Sequence, residues 1–256
     1  MKDFPSIKEL RSITQPSSVT DRPNGEHWMG RLYFRRISPY FTSAALRLGL
    51  SANQVTVVMI MFGLLGAWLF AFQGLVALSG FLGIQIYLLL DSVDGEVARF
   101  NKTESAMGIY LDRWGHYVVE GSVFVALGFR ASLGEMNGYM VLGLAGGFLA
   151  LISKAETDLV DSARLHSGLG PMPRNATKMK TPALVSGRRL IRVFPFHRLL
   201  HAAEASMAGL AVVLVETFTD DLFYTRSLVL ILFVIAAIVM PLHLISILNS
   251  TRLTSN

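Results

Sequence analysis

The 256 residues are 52% hydrophobic and only 16% charged, with a net charge of +5 at pH 7. A soluble domain carries about a quarter charged residues, so this balance excludes an ordinary soluble fold and points to an integral membrane protein. There is no cysteine, which also excludes disulfides, thiolate nucleophiles and cysteine-ligated metals.

In chain order, the first thirty positions are polar and broken by Pro5, Pro16 and Pro23, so no cleavable signal peptide is expected. The stretch "EHWMGRLYFRRISPYF" then mixes Trp28, Tyr33, Phe34, Tyr40 and Phe41 with Arg31, Arg35 and Arg36. It reads as an interfacial amphipathic helix with aromatics at headgroup depth and arginines toward anionic lipid; a solvated basic arm is the plainer alternative. Residues 1–52 are therefore expected to form an N-terminal arm, and residues 53–256 a transmembrane domain.

Apolar runs long enough to cross about 30 Å of hydrocarbon lie near 53–73, 75–95, 107–129, 138–157, 201–218 and 226–248. The expectation is an all-α bundle of six spans embedded in a lipid bilayer. Basic residues assign its sides, because cytoplasmic flanks are enriched in Lys and Arg. The arm, the turn with Arg99, Lys102 and Arg113, the long connection 158–200 and Arg252 are basic. The opposite connections hold only Arg130 and Arg226, alongside Glu135, Glu216, Asp220 and Asp221. Both termini are thus expected in the cytoplasm. Because the positive charge follows the topology, no nucleic-acid partner is expected.

Two spans carry ionisable groups. Asp91 and Asp94 are three apart on the second, with Ala98 four further on, so these share a helical face. On the third, Gly108, Asp112, His116 and Glu120 follow at intervals of four, again on one face. A short turn from Asn101 to Ser105 folds one helix against the other, so Asp91, Asp94 and Asp112 can converge at the cytoplasmic end. Carboxylates at that depth need neutralising, and oxygen ligands without thiols favour Mg²⁺ or Mn²⁺. Gly95, Ala98 and Gly108 leave room for a flat ligand, or simply for close helix packing. Arg99 is placed to pair with a diphosphate, or is a basic flank.

The pattern D-x2-D-G-x2-A-R-x8-G-x3-D resembles the signature of the CDP-alcohol phosphotransferase family, with Asp91, Asp94, Gly95, Ala98, Arg99, Gly108 and Asp112 at matching positions. The segment "GLSANQVT", with Asn53 and Thr56, is similar to the family's lead into its first span, although Ala52 stands where Pro is typical. The resemblance implies a homodimeric six-helix membrane enzyme with a cytoplasmic-side polar cavity. It would transfer a phosphoalkyl group, phosphatidyl or similar, from a CDP-alcohol donor to a hydroxyl acceptor, releasing CMP, in phospholipid or cell-envelope precursor synthesis. By the same resemblance Asp91, Asp94 and Asp112 are metal ligands for Mg²⁺ or Mn²⁺. Asn53, Thr56, Asp94, Gly95, Ala98, Arg99 and Gly108 bind the nucleotide. In the phosphoinositol-making branch, basic residues around this end of the bundle recognise a phosphorylated acceptor, and Lys154, Arg164, Arg188 and Arg189 are candidates to do likewise; positive-inside charge and a Lys154 to Asp158 helix pair are the bland alternatives.

The departure from the family is His116, where its last aspartate, a metal ligand and proposed base, would stand. His116 can take over as base and ligand, the site can hold one ion in place of two, or the chain is a catalytically silent relative that binds a nucleotide or serves as an assembly subunit. Glu120 is expected to accept a hydrogen bond from the His116 ring and so support it as catalytic base, or else to pair across the bundle. The remaining histidines, His27, His166, His197, His201 and His243, show no metal-ligand spacing and read as structural or interfacial.

Overall fold

In the computed structural model, residues 5–17, 29–170, 196–219 and 221–254 are described. Their elements are helical: α1 (Ile7–Thr14), α2 (Arg35–Arg47), α3 (Ala52–Phe70), α4 (Gly74–Asn101), α5 (Ala106–Ser132), α6 (Gly138–His166), α7 (Ala202–Thr219) and α8 (Phe223–Leu248), with single turns of π or 3-10 helix at Gly30–Phe34, Phe196–Leu200 and Thr251–Leu253. Among the described residues α3, α4, α6, α7 and α8 are long and apolar enough to cross a membrane. The chain is an all-α integral membrane protein. The segment expected as a span over 107–129 is the 27-residue helix α5, whose apolarity is broken by Asp112, Arg113, His116, Glu120 and Arg130.

The apolar helices bury one stripe and expose another. On α3, Val55, Met59, Ile60, Gly63, Gly66, Ala67 and Phe70 are buried, while Val57, Met61, Leu64, Leu65 and Trp68 are exposed at helical spacing. An apolar stripe left open on such a helix suits lipid rather than water. Ser51 caps α3, accepting a hydrogen bond from the Gln54 amide while the Gln54 side chain returns to the Ser51 amide, so the first turn's free donors are satisfied where the chain enters the bundle.

The chain forms two compact units, Met1–Val119 and Glu120–Asn256, which divide inside α5. In the first, α3 and α4 meet backbone to backbone: a Cβ on Gly66 would stand 2.7 Å from the Ile84 nitrogen and 2.9 Å from the Gly80 oxygen. Small residues at such a crossing let the two helices approach closely.

The arm of this unit is tied to α4 by one carboxylate. Glu96, fully buried, accepts hydrogen bonds from Ser38 Oγ (2.6 Å), Thr42 Oγ1 (2.6 Å) and Gln15 Nε2 (2.8 Å), with Arg35 Nη1 at 3.7 Å. A buried carboxylate is tolerated only when its lone pairs are used in this way. Pro39 lies within α2 and has no N–H to offer the Arg35 carbonyl four residues back; Gln15 Nε2 donates to that carbonyl at 2.8 Å.

In the second unit, a Cβ on Gly143 of α6 would stand 2.6 Å from the Gly128 Cα of α5, another close helix crossing. Arg130 and Glu216, both buried, are joined at 2.8 Å. Arg130 Nε donates to Thr225 Oγ1 at 3.1 Å, and the Thr225 amide and hydroxyl donate to Glu216 at 2.6 and 2.8 Å. Residues that read as flanking charges in the sequence thus form one network joining α5, α7 and α8.

Candidate functional site

The end of α4 and the start of α5 are fixed by a tight turn. Lys102 closes α4 in the left-handed conformation (φ 54°, ψ 41°), and the Thr103 amide reaches back to the Ala98 carbonyl at 3.0 Å, the type of closure that normally recruits glycine. Ser105 Oγ then accepts from the Gly108 amide at 3.1 Å and starts α5.

That turn sets Asp91 of α4 against Asp112 and His116 of α5. His116 Nε2 lies 2.9 Å from Asp91 Oδ1 and 3.4 Å from Asp112 Oδ1, and one ligand atom from each of the three residues falls within 4.8 Å of the others. The side chains are 36%, 41% and 21% exposed for Asp91, Asp112 and His116, so the cluster is open to an incoming solute. Side chains on a helix lean toward its N-terminus, which carries the His116 ring back toward Asp112. Its Nδ1 faces the hydroxyl of Tyr87, a residue with no exposed surface.

Asp94, expected beside Asp91 as a ligand, is buried and accepts a 2.7 Å hydrogen bond from Thr56 Oγ1 of α3. Three residues turn a helix by about 300°, so Asp94 is rotated away from Asp91 and toward α3. The candidate ligand group among the described residues is Asp91, Asp112 and His116. Two carboxylates and an imidazole fit a divalent cation of the Mn²⁺ or Mg²⁺ kind, with carboxylates the preferred donors for both.

Some of the residues expected at the nucleotide meet in pairs. Asn53 Oδ1 would be 3.2 Å from a Cβ on Gly108, and the Arg99 Nη1 and Nη2 atoms would be 3.1 and 3.3 Å from a Cβ on Gly95. A larger residue at either glycine would displace the polar group it faces. Arg99 Nε donates to the Thr14 carbonyl of α1 at 2.6 Å. With Ile13, Lys102 and Glu104, Arg99 lines an open groove of about 430 Å³, within the size range of small-ligand clefts.

The other expected residues belong to the second unit. Glu120 Oε2 receives Lys154 Nζ at 2.8 Å, and His201 Nδ1 lies 3.7 Å from Oε1. The acid expected behind the His116 ring thus holds a lysine of α6, as the alternative of pairing across the bundle anticipates. Arg164 donates to the carbonyls of Gly170 (3.0 Å), Arg252 (2.7 Å) and Leu169 (3.3 Å), closing the C-terminus of α6. His243 pairs with Glu156 at 2.8 Å, and His166 meets the Ser162 carbonyl at 2.9 Å. Arg188, Arg189 and His27 lie outside the described residues.

Tyr87 went unnoticed in the sequence, although it stands four residues before Asp91 and so on the same helical face. Glu96 was hidden in the variable part of the "DGEVAR" motif, where nothing distinguishes a buried acid from a surface one.

Residues 50–167 match the CDP-alcohol phosphatidyltransferase family. The bifunctional IPC transferase and DIPP synthase of Thermococcus kodakarensis is 31% identical over 190 residues, which are 73% of this chain and 40% of that protein. This chain therefore spans less than half of that relative's length. The matched region contains Asp91, Asp112 and His116 together with the glycines and arginine of the motif, and residues 50–167 thus carry a CDP-alcohol phosphatidyltransferase domain.

Proposed function

We propose that this protein is a divalent-cation-dependent CDP-alcohol phosphotransferase, moving a phosphoalkyl group from a CDP-alcohol to a hydroxyl acceptor with release of CMP. The observation that carries this reading is the convergence of Asp91, Asp112 and His116 within 4.8 Å on two helices of the family domain. These three residues would hold the cation, which when bound polarises the diphosphate and stabilises charge on the attacking and leaving oxygens. An imidazole in the ligand set favours Mn²⁺ over Mg²⁺, whose protein ligands are mostly oxygen. In the ligand role His116 would offer the lone pair of Nε2, the nitrogen that faces both carboxylates, to the cation.

Asp94, held by Thr56, is proposed among the nucleotide-binding residues. Gly108 and Asn53, which meet closely, are proposed at the nucleotide base, and Gly95 leaves space for the Arg99 guanidinium, which would face the diphosphate. Lys154, Arg188 and Arg189 are proposed for a phosphorylated acceptor. Arg164 is less suited, its guanidinium being held by three carbonyls. The Thermococcus relative's name as a transferase and synthase supports transfer rather than hydrolysis.

The test is CMP release from CDP-diacylglycerol or CDP-glycerol with a panel of polyols and phosphorylated polyols. Release is expected only when donor, acceptor and Mn²⁺ or Mg²⁺ are all present. Should the natural protein be inactive with every donor while His116→Asp creates activity, the chain is the silent relative.

We further propose six spans, α5 included, with both termini and the site cytoplasmic. Thr103 and Glu135 are exposed just before and just after α5. A cysteine at Thr103 should be labelled by an impermeant maleimide only from the cytoplasmic side, and one at Glu135 only from outside; labelling of both from one side would remove α5 from the spans.

A further inference from the structure

We infer that Tyr87 is the positioning residue that allows an imidazole to work at position 116. The inference rests on reading Asp91, Asp112 and His116 as the cation site, and it assigns a role to a residue outside the family motif.

An imidazole differs from a carboxylate in one respect that matters here: only one of its nitrogens has a free lone pair when the ring is neutral, and the partner of the other nitrogen decides which. His116 has a partner for each. Nε2 lies 2.9 Å from Asp91 Oδ1 and can donate there only while it carries the proton, with Nδ1 then accepting from the Tyr87 hydroxyl. A cation held by Asp91 and Asp112 needs the Nε2 lone pair, so the proton must sit on Nδ1, from which the same hydroxyl can accept a hydrogen bond. A tyrosine hydroxyl both donates and accepts, so Tyr87 serves both tautomers without moving its ring. A residue with a fixed donor or a fixed acceptor would favour one of them only.

The ring of Tyr87 is held firmly enough for this. It is fully buried and meets the imidazole edge to face, with centroids 5.7 Å apart and planes at 77°. Gly63 of α3 provides the space: a Cβ there would stand 2.9 Å from Tyr87 Cδ2 and 2.8 Å from a methyl of Val119. The hydroxyl therefore has little freedom to leave the imidazole.

The experiment uses the full-length protein in detergent and the conservative variant Tyr87→Phe, which keeps the ring and removes one oxygen. Mn²⁺ affinity is measured by electron paramagnetic resonance of the free ion. The His116 tautomer is read from imidazole ¹⁵N resonances of histidine-labelled, Mg²⁺-loaded protein. Loss of an outer partner of a metal-bound histidine weakens binding by about 10- to 100-fold, and that loss is expected here together with a changed tautomer ratio at His116. Unchanged affinity would overturn the inference. So would weaker affinity with the tautomer ratio unaltered, since Tyr87 would then act by packing alone. Absence of Mn²⁺ binding by the natural protein would instead remove the cation reading itself, and the inference with it.

Discussion

Asp91→Ala and Asp112→Ala should each remove the cation-dependent part of CDP binding and lower CMP release by roughly 10² to 10³, the rate equivalent of about 3 to 4 kcal/mol of lost charge stabilisation. The two carboxylates come from different helices but present their oxygens to the same His116 nitrogen, at 2.9 and 3.4 Å. Removing either leaves a two-ligand site too poor to displace water from a divalent ion. Both side chains are more than a third exposed, so neither truncation opens a cavity, and thermal unfolding of the variants should stay close to that of the parent. Calorimetric titration of CDP with and without Mn²⁺ separates the outcomes: if the cation sharpens binding equally in the parent and both variants, these aspartates are not its ligands.

The second large effect is expected in stability, at the other end of α5. Arg130 and Glu216 are 2% and 4% exposed at their side chains, and Thr225 gives Glu216 two further hydrogen bonds. Arg130→Met leaves a buried carboxylate without its cation, a change that costs roughly 3–5 kcal/mol. At about 2 to 4 °C per kcal/mol, the thermal midpoint should fall by about 6 to 20 °C. The double variant Arg130→Met with Glu216→Leu replaces the pair by apolar volume and should recover much of the loss, short of the contribution from the Thr225 amide, which loses its acceptor. A single variant as stable as the parent would show that the pair contributes nothing to holding α5, α7 and α8 together.

The legibility of these features in the sequence differs for physical reasons. Helix periodicity and the long apolar runs located the six longest helices among the described residues, because a bilayer imposes a length and a composition that few other environments require. The local pattern brought Asp91 and Asp112 together, since two helices joined by a short turn must place their facing ends side by side. Long-range pairing was not legible. Glu120 lies at the same spacing from His116 as Asp112 does, and only the fold reveals that Lys154, 34 positions away in the sequence, is the group that meets it. Arg130 and Glu216, 86 positions apart, read as two flanking charges because nothing in a linear pattern distinguishes a solvated charge from one buried against its opposite. Asp94 shows a finer limit. Spacing placed it near Asp91, but the Thr56 hydroxyl that donates to it depends on where α3 stands.

The left-handed closure at Lys102 makes the length of chain between the two helices part of the chemistry. Each added residue within α5 ahead of Asp112 would swing that carboxylate and His116 by about 100° and advance them 1.5 Å, taking both off the face that meets Asp91. Substitutions in the turn leave this phase untouched, whereas a single-codon insertion or deletion between Ala106 and Asp112 does not, even if every motif residue survives. A substitution and deletion scan across residues 103–107 should therefore divide sharply: tolerance of altered side chains, and intolerance of altered length once the helix has begun.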